Sequence, residues 1–328
     1  MKKTGLILCL IAVAAFLAAP QQSAAAAKDA VSMCLSVIVP TLFPFLVLSS
    51  LALSFGLADV CERLFAPIFK PLFGLSAKNA AAVILGCACG FPVGAKTAVS
   101  LYTSGKCTKT EAERTLLFCS CVSPAFAVGT VGAVIWQNVG IGWLCFAVQL
   151  LSALIVGLLF SRTVKGKPEI PSPAAPASTK TETTFFEAVV SAVTSSAMSI
   201  GTVCAFIVFF SVLAALLDAF GIIAIIAGII SRLFGLDFYA VKALLFGLIE
   251  FSTGAKMLGT VPLNAQKLVM TAIVLGFSGV CVCFQSLSFI IPAKLSPKPY
   301  ILGNLAHAVI AALLQTAAIL ILYKNNIF

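Results

Sequence analysis

The chain has 328 residues, of which 61% are hydrophobic and only 10% are charged, and its mean hydropathy is +1.12. A soluble core cannot bury so large an apolar fraction, so the composition excludes a soluble globular protein and indicates an integral membrane protein. A spanning helix needs about 20 apolar residues. Four stretches without Asp, Glu, Lys or Arg are long enough, at residues 115–161, 188–217, 268–293 and 299–323.

The formal net charge is +10. It does not require nucleic acid as a partner, because most basic residues follow the positive-inside rule of membrane proteins. With a cytoplasmic N-terminus, the cations on the cytoplasmic side are Arg63, Lys70, Lys78, Lys106, Lys109, Arg114, Arg162, Lys165, Lys167, Lys180, Lys294 and Lys298. The outer side receives the smaller set, which is Lys28, Arg232, Lys242, Lys267 and Lys324.

The N-terminal segment, residues 1–27, supports two interpretations. Lys2 and Lys3 precede an apolar run over residues 5–19, and small residues follow at 24–27. This order is typical of a signal peptide with its cleavage region, and it equally fits a first transmembrane helix. Both interpretations send the following segment inward from the outer face, so the remaining topology does not depend on the choice.

Residues 28–160 are predicted to form a first membrane repeat. Its elements in chain order are a spanning helix near 31–57, an amphipathic piece near 63–73, an interrupted segment near 79–104 and two helices across 115–160. The interruption is expected because glycine and proline weaken a helix. The two tryptophans of the chain, Trp136 and Trp143, bracket a polar turn between the last two helices, as in an interfacial belt.

Residues 161–184 are polar and rich in proline, which predicts a cytoplasmic linker. A second membrane repeat follows over residues 185–328. Its predicted elements are a helix at 188–217, a short apolar piece at 220–231, an interrupted segment at 238–259 and helices at 266–291 and 300–323. The order of elements is the same as in the first repeat.

Short sequence landmarks also recur in this order. The tetrapeptide Leu-Phe-Gly-Leu at 72–75 returns at 233–236, 161 residues later, and Gly-Ala-Lys at 94–96 returns at 254–256, 160 residues later. If each interrupted segment enters and leaves the membrane on one face, the second repeat starts from the face opposite to the first. The sequence therefore predicts an all-α polytopic protein of two inverted repeats, each with a re-entrant helical hairpin.

The first hairpin contains three glycines and a proline within residues 86–94, so its helix is expected to break near Gly90. Broken backbone at membrane depth survives only where it faces protein or a hydrated cavity. The helix that restarts near Val93 would direct its positive end at such a cavity, with Lys96 in its first turns. This arrangement suits an anionic or polar ligand.

The second hairpin carries Glu250 among apolar residues, next to the hydroxyls of Ser252 and Thr253. An ionisable group in a membrane segment costs at least about 2.5 kcal/mol unless it is paired or hydrated. Lys96 from the first repeat and Lys256 from the same hairpin are the two candidate partners. A purely structural alternative is that such charges only hold helices together, or that the lysines extend to lipid headgroups.

Each hairpin is followed by a helix that is interrupted by polar residues, proline or glycine. Ser123 and Pro124 interrupt the first helix, and Ser278, Gly279 and Gln285 interrupt the second. Proline predicts a kinked or unwound turn that would complete the cavity, whereas serine and glycine also permit close helix packing. His307 fits a structural role better than proton coupling.

The cysteines and the search for catalytic motifs say less about function than the two hairpins do. The twelve cysteines lie mostly in membrane segments, so they indicate apolar packing rather than a disulfide framework. Three C-x-C pairs, at 87/89, 119/121 and 281/283, leave soft-metal handling as a third hypothesis, although residues two apart lie on opposite sides of a helix. The sequence contains no nucleotide-binding loop or zinc-protease motif, so neither an enzyme nor a cofactor is expected.

Three strings resemble a known family: Pro-Thr-Leu-Phe-Pro-Phe at 40–45, the segment 67–73, and Gly-Phe-Pro-Val-Gly-Ala-Lys at 90–96. Together they are similar to the YlbJ-type sporulation integral membrane proteins, which carry the nucleoside-recognition (Gate) domain. The resemblance implies a polytopic membrane protein of endospore-forming bacteria that is linked to spore cortex formation. It also implies a distant relation to concentrative nucleoside carriers, whose hairpins hold the substrate with a glutamate in each; here only Glu250 is present.

These signals lead to one main hypothesis, a multi-pass carrier in the bacterial inner membrane that moves a small polar or anionic solute, with a nucleoside-like solute included. The alternative is a non-transporting membrane scaffold for sporulation or envelope partners. Membrane lipids and the solute are the expected partners, and a coupling ion (H⁺ or Na⁺) and a homo-oligomer are left open. The expected binding residues are Cys89, Gly90, Phe91, Pro92, Gly94, Lys96, Ser123, Glu250, Ser252, Thr253, Gly254, Lys256, Ser278 and Gln285.

Overall fold

The computed structural model describes residues 2–164, 184–261 and 264–324. Within these ranges the regular secondary structure is entirely helical, which confirms the all-α class. Most of the predicted linker, residues 165–183, lies outside the described residues.

The first half contains eight α-helices and two stretches of π-helix. The α-helices are α1 Lys2–Ala18, α2 Pro20–Met33, α3 Val39–Ser54, α4 Leu57–Phe73, α5 Ala80–Cys89, α6 Val93–Thr103, α7 Lys109–Thr115 and α8 Val139–Phe160. The π-helical stretches are Cys34–Ile38 and Ala125–Ile135, and a short 3₁₀ turn covers Ala77–Asn79.

The second half, up to residue 324, contains seven α-helices. They are α9 Phe185–Ala219, α10 Ile222–Phe234, α11 Phe238–Ile249, α12 Phe251–Gly259, α13 Ala265–Phe277, α14 Gly279–Ile290 and α15 Lys298–Lys324. Both halves thus have a long helix, a shorter helix, a two-helix hairpin, a broken helix and a final long helix, in that order.

Five helices of the described chain are long and apolar enough to cross a membrane: Pro20–Ser54, Val139–Phe160, Phe185–Ala219, Ala265–Ile290 and Lys298–Lys324. The pair α4 and Ala77–Cys89 is bent by 103° and would make a sixth span or a re-entrant segment. These spans make the protein a multi-pass membrane protein.

The first long helix differs from its predicted bounds. The expected span near 31–57 begins at Pro20, because Pro20 starts a helix that passes through the π-helical turn without a break and ends at Ser54. Proline is tolerated there because the first turn of a helix has no internal partner for its N–H. Position 27, the expected end of the N-terminal segment, lies inside this helix.

The predicted pair of helices across 115–160 also differs in detail. Residues 119–123 have no regular structure, and the chain then forms the π-helix Ala125–Ile135 instead of an ordinary α-helix. The unwound turn beside Pro124 is the one that the proline predicted. In the second half the matching break lies at Ser278 and Gly279, both in the left-handed region with φ of 66° and 79°.

Candidate functional site

The tip of the first hairpin packs against the unwound segment that follows it. α5 ends at Cys89, the backbone turns at Gly90 with φ of 83°, and Val93 donates a backbone hydrogen bond to the Gly90 carbonyl at 3.0 Å. A Cβ at position 90 would lie 2.9 Å from the Cβ of Ser123. Glycine is therefore required here both by the left-handed φ and by the close approach of Ser123.

Glu250 lies at the tip of the second hairpin, between α11 and α12. Its side chain is fully buried and caps α12, because its two carboxylate oxygens accept the backbone N–H groups of Ser252 at 3.1 Å and Thr253 at 2.7 Å. These bonds and the positive end of the helix stabilise the carboxylate. A buried charge at this position is thus compensated by the backbone of its own hairpin.

The two lysines expected to pair with Glu250 do not do so. Within the described residues the ion pairs are Lys78 with Asp59 and Glu62, and Lys242 with Asp218.

Lys96 and Lys256 also occupy different surroundings from each other. The Lys96 ammonium is buried and has no hydrogen-bonding partner within the described chain, whereas the Lys256 side chain is exposed. The structure therefore brings neither lysine to the carboxylate.

The two hairpin tips meet through aromatic rings. Phe91 of the first tip and Phe251 of the second lie 5.8 Å apart between ring centroids in an edge-to-face arrangement. Phe126, from the π-helix, lies 4.9 Å from Phe251. Such ring pairs contribute about 1 kcal/mol beyond the area that they bury. The contact joins the two halves of the chain at their broken segments.

A cavity of about 100 Å³ lies at this meeting point. Of the expected binding residues, Cys89, Gly90, Phe91 and Ser123 line it. The sequence analysis missed the contribution of the first long helix and of the π-helix. The missed residues with side chains on the cavity are Val37, Ile38, Thr41, Leu42, Phe45, Val122, Ala125, Phe126, Thr130 and Phe251.

The remaining expected residues do not line the cavity. Ser252 is buried and its hydroxyl has no hydrogen-bonding partner within the described residues. Gly254 packs directly on the backbone of Gly247, which brings the two arms of the second hairpin together. Pro92 and Gly94 are buried in the first hairpin, and Thr253 is partly buried in the second.

Ser278 and Gln285 belong to a buried polar network. The Asn304 amide donates to the Ser278 hydroxyl at 3.4 Å, and the Gln285 amide contacts the Cys281 sulfur at 3.2 Å. His307 lies on the same helix as Asn304, and its Nε2 is 3.0 Å from the Gln149 carbonyl. These contacts agree with a structural role for His307.

The C-x-C pairs do not assemble a metal centre in the structure. Among the described residues no group of three or more His, Cys, Asp or Glu side chains is arranged to hold a metal ion. The C-x-C cysteines are buried or half-buried and unbridged, as expected for small apolar residues in helix packing.

Lys267 is a buried cation that the sequence analysis missed. The sequence places it at the outer end of a helix, but its side chain is fully buried, and its ammonium lies 4.3 Å from the centre of the Trp136 ring. A cation over an indole face is attracted by the ring quadrupole. The contact links the second half of the chain to the end of the π-helix in the first half.

Sequence comparisons show which known proteins this chain is similar to. Residues 35–142 match the family model described as Gate, nucleoside recognition. The chain is 28% identical to the sporulation integral membrane protein YlbJ of Bacillus subtilis (strain 168) over 312 residues, which is 89% of this chain and 76% of that protein. The matched region contains the first hairpin and the unwound segment that packs on it.

Solved structures of CNTnw share the fold. The inward-facing, substrate-bound state has a TM-score of 0.54 at 16% identity and covers 85% of this chain and 74% of its own. Two variants in outward-facing states have TM-scores of 0.52 and 0.51 at 13% and 14% identity, with 97% of this chain and 85% of theirs covered.

None of these proteins is described as an enzyme. The family resemblance predicted from the three sequence strings is confirmed: the chain is similar to the YlbJ-type sporulation integral membrane proteins, and part of it matches the family model described as Gate, nucleoside recognition.

Proposed function

We propose that the protein is a membrane carrier for a small polar or anionic solute, which binds where the two hairpin tips meet. The observation that carries this proposal is the cavity between the tips, with Cys89, Gly90 and Phe91 on one side and Phe251 on the other. Broken helices that meet near the middle of a duplicated membrane protein are the usual place for a substrate site.

Alternating access is part of the proposal. The fold is shared with a protein that has been solved in inward-facing and outward-facing states. Two halves with the same order of helices can exchange two related conformations if they are inverted relative to each other. We therefore propose inverted repeats at 28–160 and 185–328, joined by the linker at 161–184, in this protein.

Two features support a polar or anionic solute. The buried Lys96 ammonium has no partner within the described residues, and an anion would compensate its charge. The N-terminus of α6 starts at Val93 without a side-chain cap in the described chain, so its positive end is available to a negative group. A nucleoside-like solute also falls within the proposal because the matching family model is described as nucleoside recognition. Coupling to H⁺ or Na⁺ and assembly into a homo-oligomer remain part of the hypothesis.

The cellular role that we propose is in sporulation, because the curated relative is named as a sporulation membrane protein. A deletion strain of the source bacterium tests this role by its yield of heat-resistant spores. A normal yield would contradict it without affecting the carrier proposal.

The carrier proposal is tested with the purified protein in liposomes. A thermal-shift screen with nucleosides and small carboxylic acids selects candidates, and uptake of each radiolabelled candidate is then measured. We expect Lys96→Ala and Glu250→Gln to abolish uptake and the exposed-site control Lys256→Ala to retain it. Uptake that is undiminished in correctly inserted Lys96→Ala and Glu250→Gln proteins would refute the proposal.

One observation favours the alternative of a non-transporting scaffold. The cavity of about 100 Å³ is smaller than the roughly 300–1,000 Å³ of most small-molecule sites. A scaffold would keep this interior closed. Hydrogen exchange at the hairpin tips that stays slow in every condition, together with specific partners in a pull-down, would favour the scaffold over the carrier.

A further inference from the structure

A second, larger concavity lies at the surface of the first half and is distinct from the cavity at the hairpin tips. It has a volume of about 630 Å³ and is a groove between α4, α5 and α8. All of its lining side chains are apolar, among them Phe65, Phe69 and Phe73 of α4, Ile84 of α5, and Leu150 and Leu154 of α8. The groove is about six times larger than the cavity at the tips and falls in the size range of ligand sites.

The groove opens at an apolar part of the surface. Ile68 and Leu72 on α4 and Leu158 on α8 line it, and each is roughly half exposed, so its rim is apolar as well. α4 is amphipathic, as expected for a helix that lies at the boundary between headgroups and acyl chains. An apolar groove under such a helix suits a hydrocarbon chain.

Arg162 lies at one end of the groove, and Lys70 lies on the adjoining polar face of α4. Lys70 follows the lining residue Phe69 on α4, and Arg162 lies one turn beyond the lining residue Leu158. The Arg162 guanidinium donates to the Pro71 carbonyl, which fixes it at the end of α4.

Neither cation has an acidic partner among the described residues. Lys70 and Arg162 are both exposed, and neither forms an ion pair with any described residue. The nearby acids of α4, Asp59 and Glu62, are engaged by Lys78 at 3.8 Å and 3.3 Å. Within the described part of the chain, two positive charges next to an apolar groove therefore have no acidic side chain paired with them.

We propose that this groove binds one anionic phospholipid, with an acyl chain between α4 and α8 and its phosphate at Lys70 and Arg162. Basic residues next to apolar surface at the membrane interface attract acidic headgroups, whereas a zwitterionic headgroup gains much less. The groove floor includes Cys87 and Ala88 of α5 and Pro124 beside the unwound segment. The acyl chain thus contacts the first hairpin directly, and the site is independent of whether the protein transports a solute.

Native mass spectrometry of the full chain in detergent tests the site with three probes: dioleoyl phosphatidylglycerol, dioleoyl phosphatidylcholine and oleic acid. We expect one phosphatidylglycerol to be retained on the order of tenfold more strongly than phosphatidylcholine. Lys70→Gln with Arg162→Gln should remove this preference. Arg232→Gln, which removes an exposed cation from α10 in the other half, should preserve it. Ile84→Trp, which fills the groove, should weaken retention of both phospholipids.

Equal retention of the two phospholipids by the wild type would overturn the proposal. The proposal would also be overturned if Arg232→Gln removed the preference for phosphatidylglycerol as completely as the double variant does, or if Ile84→Trp left retention of both phospholipids unchanged. Retention of oleic acid as strong as that of phosphatidylglycerol would overturn it as well. Circular dichroism and gel filtration verify folding of each variant. If the double variant does not fold, the preference for phosphatidylglycerol is measured in the single variant Lys70→Gln instead. Lys70 is exposed, and its replacement leaves the Arg162 contact intact.

Discussion

The two hairpins have similar backbones and different chemistry. In both, a pair of glycines packs across the hairpin, Gly86 with Gly94 and Gly247 with Gly254. The first pair also lies against the Cys119 carbonyl of the unwound segment, whereas Gly247 lies against the side chain of Val274. Glycine is needed in both because another backbone occupies the place of a side chain. The repeated glycines therefore allow another backbone segment to pack closely on the hairpin, and the surrounding fold determines which segment that is.

The charged residues of the two hairpins behave differently even where the sequence repeats. Lys96 and Lys256 end the same tripeptide, yet only Lys96 has a buried ammonium. Glu250 has no acidic counterpart at the first tip and is held by its own backbone. A duplicated sequence thus repeats the fold of a hairpin without repeating the environment of each side chain.

The glycine contacts give the largest expected effect. Gly94→Ala and Gly254→Ala place a methyl group inside a neighbouring backbone, so each should lower the free energy of unfolding by about 3 kcal/mol. Gly201→Ala in α9 is the matched control, because no described atom from outside its own helical turn lies within 4 Å of the new methyl group. Thermal unfolding in detergent measures the difference. Equal melting temperatures for the three variants would contradict the packing described for both hairpins.

Loss of the Glu250 carboxylate should affect only the second hairpin, and less strongly. Glu250→Ala leaves the N–H groups of Ser252 and Thr253 without acceptors in a buried place, which should cost about 2 kcal/mol of stability. Glu187→Ala is the control, because Glu187 caps the exposed start of α9 by bonding to the Thr184 N–H at 2.9 Å. A larger loss for Glu187→Ala than for Glu250→Ala would show that Glu250 is not an essential cap.

Replacing each of the two repeated lysines should affect solute uptake and stability differently. Lys96→Met removes a buried ammonium without a partner among the described residues, so we expect stability to rise by about 1 kcal/mol. Solute uptake should be lost in the same protein. Lys256→Met changes an exposed side chain and should leave both melting temperature and uptake near wild type. Identical behaviour of the two variants would mean that the repeated lysines are equivalent after all.

The ion pairs at the outer ends of the hairpins should matter least. Lys78 joins the start of the first hairpin to Asp59 and Glu62 on α4, and Lys242 joins the second to Asp218 on α9 at 2.8 Å. Partly exposed pairs contribute less than about 1 kcal/mol. Lys78→Met and Lys242→Met should each lower the melting temperature slightly, and less so in high salt. A loss comparable to that of Gly254→Ala would show that these pairs anchor the hairpins.

Sequence patterns predicted the breaks well and the side-chain partners poorly. The turn at Gly90 and the unwound residues before Pro124 follow from local backbone preferences, which do not depend on the rest of the fold. The π-helix Ala125–Ile135 and the contribution of Thr41 to the cavity depend on packing between distant segments. Nothing in the local sequence specifies either of them.

The sequence by itself determined the membrane setting and the position of each broken segment, because hydropathy and glycine or proline content act locally. Only the tertiary structure decided that Glu250 is held by its own helix, that the Lys96 ammonium is buried while Lys256 is exposed, and that Lys267 lies over Trp136. The physical reason is that the environment of a charge is set by groups that are far away in the chain and meet only when the helices pack.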